Sequence, residues 1–146
     1  MALRALVFDD EEGVRDILTL FLRGRGYEVL SFSDPGTFNT RCSCSEGKPC
    51  GDILITDNRM PRLTGLELVR RLLRNGCNGV VRNMAVISGH WTGADLREAG
   101  RLGCKTFHKP FRMEEIYKWL DECEGRINAG RKSIDRPDVS VNCNVA

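Results

Sequence analysis

The sequence predicts an α/β fold: a parallel five-stranded sheet with helices on both faces, a (βα)5 three-layer sandwich. Apolar runs alternate five times with segments of helical periodicity, the pattern of successive βα units. The runs are continuously apolar rather than alternating, as suits strands buried on both faces. The chain has 146 residues, enough for one domain with a full core, and its 41% apolar and 29% charged residues are an ordinary globular balance.

The elements follow in order. "LRALVF" (3–8) is the first strand. Val14, Ile17, Leu18 and Phe21 then fall at i, i+3, i+4 and i+7, one face of a helix, and the glycines of "RGRGY" end it. "YEVLSF" (27–32) is the second strand, and "SDPGTF" reads as a cap followed by a short helix. Residues 39–51 are irregular and rich in cysteine. "DILITD" (52–57) is the third strand; a helix over 64–76 follows, with Leu66, Val69 and Leu73 on one face. "NMAVIS" (83–88) is the fourth strand, followed by a weaker helix over 92–102 carrying Leu96, Ala99 and Leu102. "KTFHK" (105–109) is the fifth strand, and a last helix over 112–127 places Met113, Ile116, Leu120, Cys123 and Ile127 on one stripe. The expected division is a domain over 1–127 and a flexible C-terminal tail over 128–146, where helical periodicity is lost.

Composition excludes several functions. A net charge of +2 is too small to argue for direct DNA binding or membrane attachment. No apolar run approaches the roughly 20 residues of a membrane span, and "MALRALVFDDEE" turns acidic before a signal-peptide core develops. The expected location is cytoplasmic.

Polar residues stand where the strands end. Asp9 and Asp10 follow the first strand, and Asp57, Ser88 and Lys109 end the third, fourth and fifth. An aspartate after a strand is often only a helix cap. Open parallel sheets, however, bind ligands outside the carboxyl ends of their strands, and five such residues at one edge suggest a site. Clustered carboxylates repel one another and raise one another's pKa, which a divalent cation relieves. Oxygen donors without His or Cys suit Mg2+. Asp57 can act as a nucleophile and form an acyl phosphate, with the Lys109 charge and the Ser88 hydroxyl for the phosphoryl group.

The stretches "LVFDDEE", "ILITDNRMPRLTGLEL", "VISGH" and "KPF" resemble the response-regulator receiver domain of two-component signalling, from residue 3 to about 124. The resemblance implies a flavodoxin-like fold with strand order 2-1-3-4-5, a phosphoacceptor rather than an enzyme, and at most self-catalysed phosphorylation and dephosphorylation. Asp57 would accept a phosphoryl group from a partner histidine kinase or phosphotransfer protein. Asp9, Asp10, Asp57 and the backbone carbonyl of Arg59 would bind Mg2+, while Ser88 and Lys109 would contact the phosphoryl group. The Lys109–Pro110 bond would be cis. Output would pass to a downstream protein through the helix after the fourth strand, the fifth strand and the last helix.

The chain departs from the family's pattern at Thr106, where an aromatic ring is usual three residues before the lysine. Phe107 has either taken that role or belongs to the core. Arg59 and His90, two positions after Asp57 and Ser88, either tune the phosphoryl lifetime or are solvated. The chain has two histidines, neither in a helical phosphotransfer setting, so it reads as an acceptor; His108 is expected to be structural.

Seven cysteines are many, and an odd number excludes complete pairing into disulfides. Cys42, Cys44, Cys50 and Cys77 are expected at the end of the sheet opposite Asp57. They offer a Zn2+ site, a redox disulfide, or unliganded thiols packing a long loop. Cys104 and Cys123 are expected in the core and Cys143 in the tail. Three functional readings stand: a stand-alone receiver, a receiver fragment of a longer regulator or hybrid kinase, and a cysteine-based metal- or redox-sensing scaffold with vestigial receiver chemistry.

Overall fold

A computed structural model describes residues 2–35, 51–75 and 80–134. The strands are β1 (Arg4–Phe8), β2 (Glu28–Phe32), β3 (Ile53–Asp57), β4 (Met84–Ser88) and β5 (Lys105–His108). The helices are α1 (Glu12–Gly24), α2 (Gly65–Arg74), α3 (Gly93–Leu102) and α4 (Met113–Ile134). The sheet order is β2-β1-β3-β4-β5, and every neighbouring pair is parallel, as expected. The segment after β2 that was expected to form a short helix lies outside the described residues apart from its first positions.

Two apolar clusters sandwich the sheet. Leu6, Phe8, Leu54, Met84 and Val86 point to one face and meet Leu68, Val69 and Leu72 of α2 and Ala99 of α3. Ala5, Val7, Ile53, Ile55 and Ile87 point to the other and meet Leu18 and Leu22 of α1 and Ile116, Trp119 and Leu120 of α4. Side chains alternate along each strand, so the two sets interleave in sequence and each strand reads as one apolar run.

Helix ends follow local chemistry. Thr64 and Glu67 form a reciprocal capping box at the start of α2. The Thr92 hydroxyl accepts from the Asp95 amide at the start of α3, and Gly103 closes that helix in the left-handed region at φ 78°.

Three expected faces are corrected. Leu73 is 37% exposed, while Leu68 and Leu72 take the buried positions of α2. In α1 the expected Leu18 is buried, but Ile17 and Phe21 are exposed and Leu22 is buried beside Leu18; Leu96 of α3 is exposed as well. Several stripes fit a helical period, and the angle at which a helix lies on the twisted sheet selects one of them. The last helix also runs past the predicted end at 127 to Ile134. Asn128 and Gly130 are poor helix formers, but Ala129, Arg131 and Lys132 are good ones, and extending a formed helix costs little. Phe107 is in the core, edge-on to Trp119 at 6.1 Å. Cys123 is buried and Cys104 partly so, whereas Cys143 lies outside the described residues. Among the described residues no helix is long and apolar enough to cross a membrane.

Candidate functional site

At the carboxyl ends of β1, β3 and β5 the structure gathers an acidic cluster around one lysine. Asp57 ends β3 and is 5% exposed; Asp9, just past β1, is 1% exposed. Asp10 is exposed beside them, and ligand oxygens of Asp9, Asp10 and Asp57 lie within 4.8 Å of one another. Lys109 Nζ stands 3.1 Å from Asp9 Oδ2, 2.9 Å from Glu11 Oε1 and 3.4 Å from Asp57 Oδ2. A shallow pocket of about 300 Å³ opens here, lined by Asp10, Glu11, Asp57, Arg59, Gly89 and Lys109.

Backbone geometry holds the acids in place. The Asn58 amide donates to Ile87 O at 2.8 Å, and Asn58 O accepts from the Gly65 amide at 3.0 Å. Asn58 Oδ1 accepts from the Leu66 amide at 3.2 Å, so one buried asparagine ties the end of β3 to the start of α2. Gly65 lies so close that a Cβ there would be 2.4 Å from Asp57 O. Asp9 Oδ1 accepts from the Glu11 amide at 2.9 Å, and Arg15 Nη1 donates to Asp9 O at 2.8 Å. The Lys109 amide donates to Ser88 O at 2.9 Å, and the Lys109–Pro110 bond is cis, as expected.

The electrostatics follow from burial. Loss of solvent and the negative charge of Asp9 push the Asp57 carboxyl up to about 6, against the opposing pull of Lys109 and the Arg59 amide. Burial also raises Asp9, partly offset by the Glu11 amide and Lys109. Partial burial works against the Lys109 charge, but bonds to Glu11 and Asp9 and the field of Asp57 outweigh it, so its pKa lies above the ordinary lysine value. Clustered hard oxygens whose repulsion one lysine only partly relieves suit a small divalent cation with retained waters, and Asp9, Asp10 and Asp57 could hold one.

Of the residues singled out from sequence, Asp9, Asp10, Asp57, Arg59 and Lys109 come together. Ser88 lies at the same edge, fully buried, but its hydroxyl donates to His90 O at 2.9 Å and accepts from the His90 amide at 3.1 Å. It is engaged by its own loop, and Gly89 rather than Ser88 lines the pocket. His90 and His108 are both exposed. Cys42, Cys44, Cys50 and Cys77 lie outside the described residues, and the zinc expectation gains no support; the one group suited to a metal among the described residues is carboxylate alone. Sequence reasoning missed Glu11, Asn58 and Gly65. The acidic run "DDEE" was a signal for Glu11; nothing local marked Asn58.

This fold, with acids at the ends of β1 and β3 and a lysine at the end of β5, is a flavodoxin-like α/β module with a candidate cation site at one sheet edge. The family model for the response regulator receiver domain matches residues 5–121, and the chain belongs to that family. It is 33% identical over 136 residues to the transcriptional regulatory protein FixJ of Azorhizobium caulinodans, covering 91% of this chain and 61% of that protein. It is 33% identical to the response regulator protein TodT of Pseudomonas putida, covering 75% of this chain and 46% of that one. The chain thus spans less than two thirds of the length of these relatives. The crystal structure of FixJ-N aligns at a TM-score of 0.68 and 28% identity, covering 84% of this chain and 94% of that one. The chemotaxis response regulator CheY4 of Vibrio cholerae shares the fold at a TM-score of 0.70 and 22% identity, covering 84% of this chain and 99% of that one.

Proposed function

We propose that the chain is a phosphorylation-controlled receiver in which Asp57 accepts a phosphoryl group from a sensor histidine kinase or phosphotransfer protein. One observation carries this: a buried carboxylate at the end of β3 faces two further carboxylates and a lysine in an open pocket. An Asp57 oxygen attacks phosphorus and a new O–P bond forms. The P–N bond to the donor imidazole breaks, and its electron pair returns to nitrogen. With the Asp57 carboxyl at about 6, most molecules hold the nucleophile ionised at neutral pH. Lys109 offers its ammonium to the phosphoryl oxygens, and Ser88 can do so once its hydroxyl leaves His90. Asp9, Asp10, Asp57 and the Arg59 carbonyl are the proposed Mg2+ ligands; the bound cation supplies neutralisation of phosphoryl charge.

Output then passes by protein–protein contact through the face formed by α3, β5 and α4. Incubation with acetyl phosphate and Mg2+ tests the assignment. Labelling of Asp57 in the wild type and none in Asp57→Asn is the expected result; no labelling, or equal labelling in both, removes the proposal.

A second reading, favoured by the greater length of the relatives, makes this the receiver portion of a longer regulator. DNA contact would then lie in the other portion. The mass of the native protein, read by immunoblot of source cells, separates the two: a species near 16.4 kDa supports the stand-alone form.

A further inference from the structure

We infer that Glu11 is a positioning residue for Lys109: its carboxylate, instead of capping α1, holds the ammonium at the mouth of the pocket within reach of Asp57. The inference deepens the phosphoacceptor reading and rests on it.

Glu11 occupies the N-cap position of α1 with extended backbone, φ −86° and ψ 113°, yet its side chain makes no capping hydrogen bond. That position favours Ser, Thr, Asp or Asn, whose short side chains reach the first free amides. Glu11 instead spans to Lys109 across 98 residues of sequence, at 2.9 Å. The pair contributes little to stability, because the Glu11 side chain is 62% exposed. A helix cap is thus given up for a contact of small structural worth, the mark of a residue held for its site rather than for the fold.

Lys109 needs such a holder. Its side chain is long and flexible, and its backbone anchor, the amide bond to Ser88 O, does not fix where the ammonium sits. Three carboxylates surround the ammonium, and Glu11 makes the shortest contact of the three. Asp9 and Asp57 are also candidate cation ligands, so a bound cation competes with Lys109 for both. Glu11 is outside that set and remains to hold the lysine. Its amide also donates to Asp9 Oδ1, so one residue orients two members of the site.

Two substitutions separate reach from charge. Glu11→Asp keeps the charge and gains a good cap, but shortens the arm by about 1.5 Å, one carbon–carbon bond, out of hydrogen-bond range. Glu11→Gln loses the charge but keeps an acceptor oxygen at the same reach. Both are compared with wild type for melting temperature, for Mg2+ dissociation constant by calorimetry without phosphodonor, and for acetyl-phosphate labelling at saturating Mg2+. The expected result is a higher melting temperature for Glu11→Asp with a maximal labelling rate down by about tenfold or more. Its Mg2+ affinity stays unchanged, and Glu11→Gln labels closer to the wild-type rate. A crystal structure of Glu11→Asp is expected to show Lys109 Nζ displaced from its present position. Labelling of Glu11→Asp at the wild-type rate, or equal slowing in both variants, overturns the inference. An unlabelled wild type overturns the phosphoacceptor reading itself, and this inference with it.

Discussion

Asp57→Asn is expected to make the metal-free protein more stable above about pH 6. The Asp57 carboxyl is raised from 3.8 to about 6 by burial and by Asp9. An acid with a raised folded-state pKa keeps its proton in the folded protein while the unfolded chain releases it. The Asp57 contribution to wild-type stability therefore falls as pH rises from about 4 to about 6, then levels off. A shift from 3.8 to about 6, at about 1.4 kcal/mol per unit, amounts to about 3 kcal/mol. Asparagine carries no charge to desolvate and keeps the shape. It forfeits the attraction to Lys109 at 3.4 Å, but Lys109 retains Asp9 and Glu11. The net gain expected is about 1–3 kcal/mol near pH 8, shrinking toward zero near pH 4. Urea unfolding in EDTA, wild type against Asp57→Asn across that range, measures it. A gain independent of pH, or a loss at pH 8, would show that the acidic cluster is not under electrostatic strain and would refute the reasoning.

Further outcomes follow from the same geometry. Mg2+ is expected to raise the wild-type melting temperature, growing with the logarithm of its concentration above the dissociation constant, EDTA to reverse the effect, and Asp10→Asn to weaken it, all by calorimetry. Gly65→Ala places a methyl 2.4 Å from Asp57 O and should cost about 2–4 kcal/mol with loss of Asp57 labelling, read by urea unfolding and labelling together. Arg62 sits in the left-handed region at φ 71°, where a side chain is strained, so Arg62→Gly should stabilise by about 0.5–1 kcal/mol in the same assay.

Much of the site was legible because its chemistry is carried by residue type and place. Asp9, Asp10, Asp57 and Lys109 stand where strands end, and a parallel α/β sheet brings those ends to one edge. The acidic run "DDEE" marked Glu11, but not its pairing with Lys109, which is 98 residues away and which only the completed sheet brings close. Nor was the engagement of Ser88 by His90, which depends on how the loop after β4 turns. Asn58 matters through its side-chain bond to the Leu66 amide and Gly65 through close backbone approach, neither of which residue pattern records.

By itself the sequence determined the order of the five strands and of the four helices among the described residues, because burial on both faces demands apolar runs and helices demand their own period. Only the tertiary structure decided which stripe of each helix is buried. Leu72 rather than Leu73 and Leu22 rather than Phe21 face the core, because the lie of a helix on a twisted sheet is set by all the packed side chains at once. The same holds for the lysine: its presence is a matter of sequence, while its share among Asp9, Glu11 and Asp57 is a balance of charge and burial that exists only once the chain has closed.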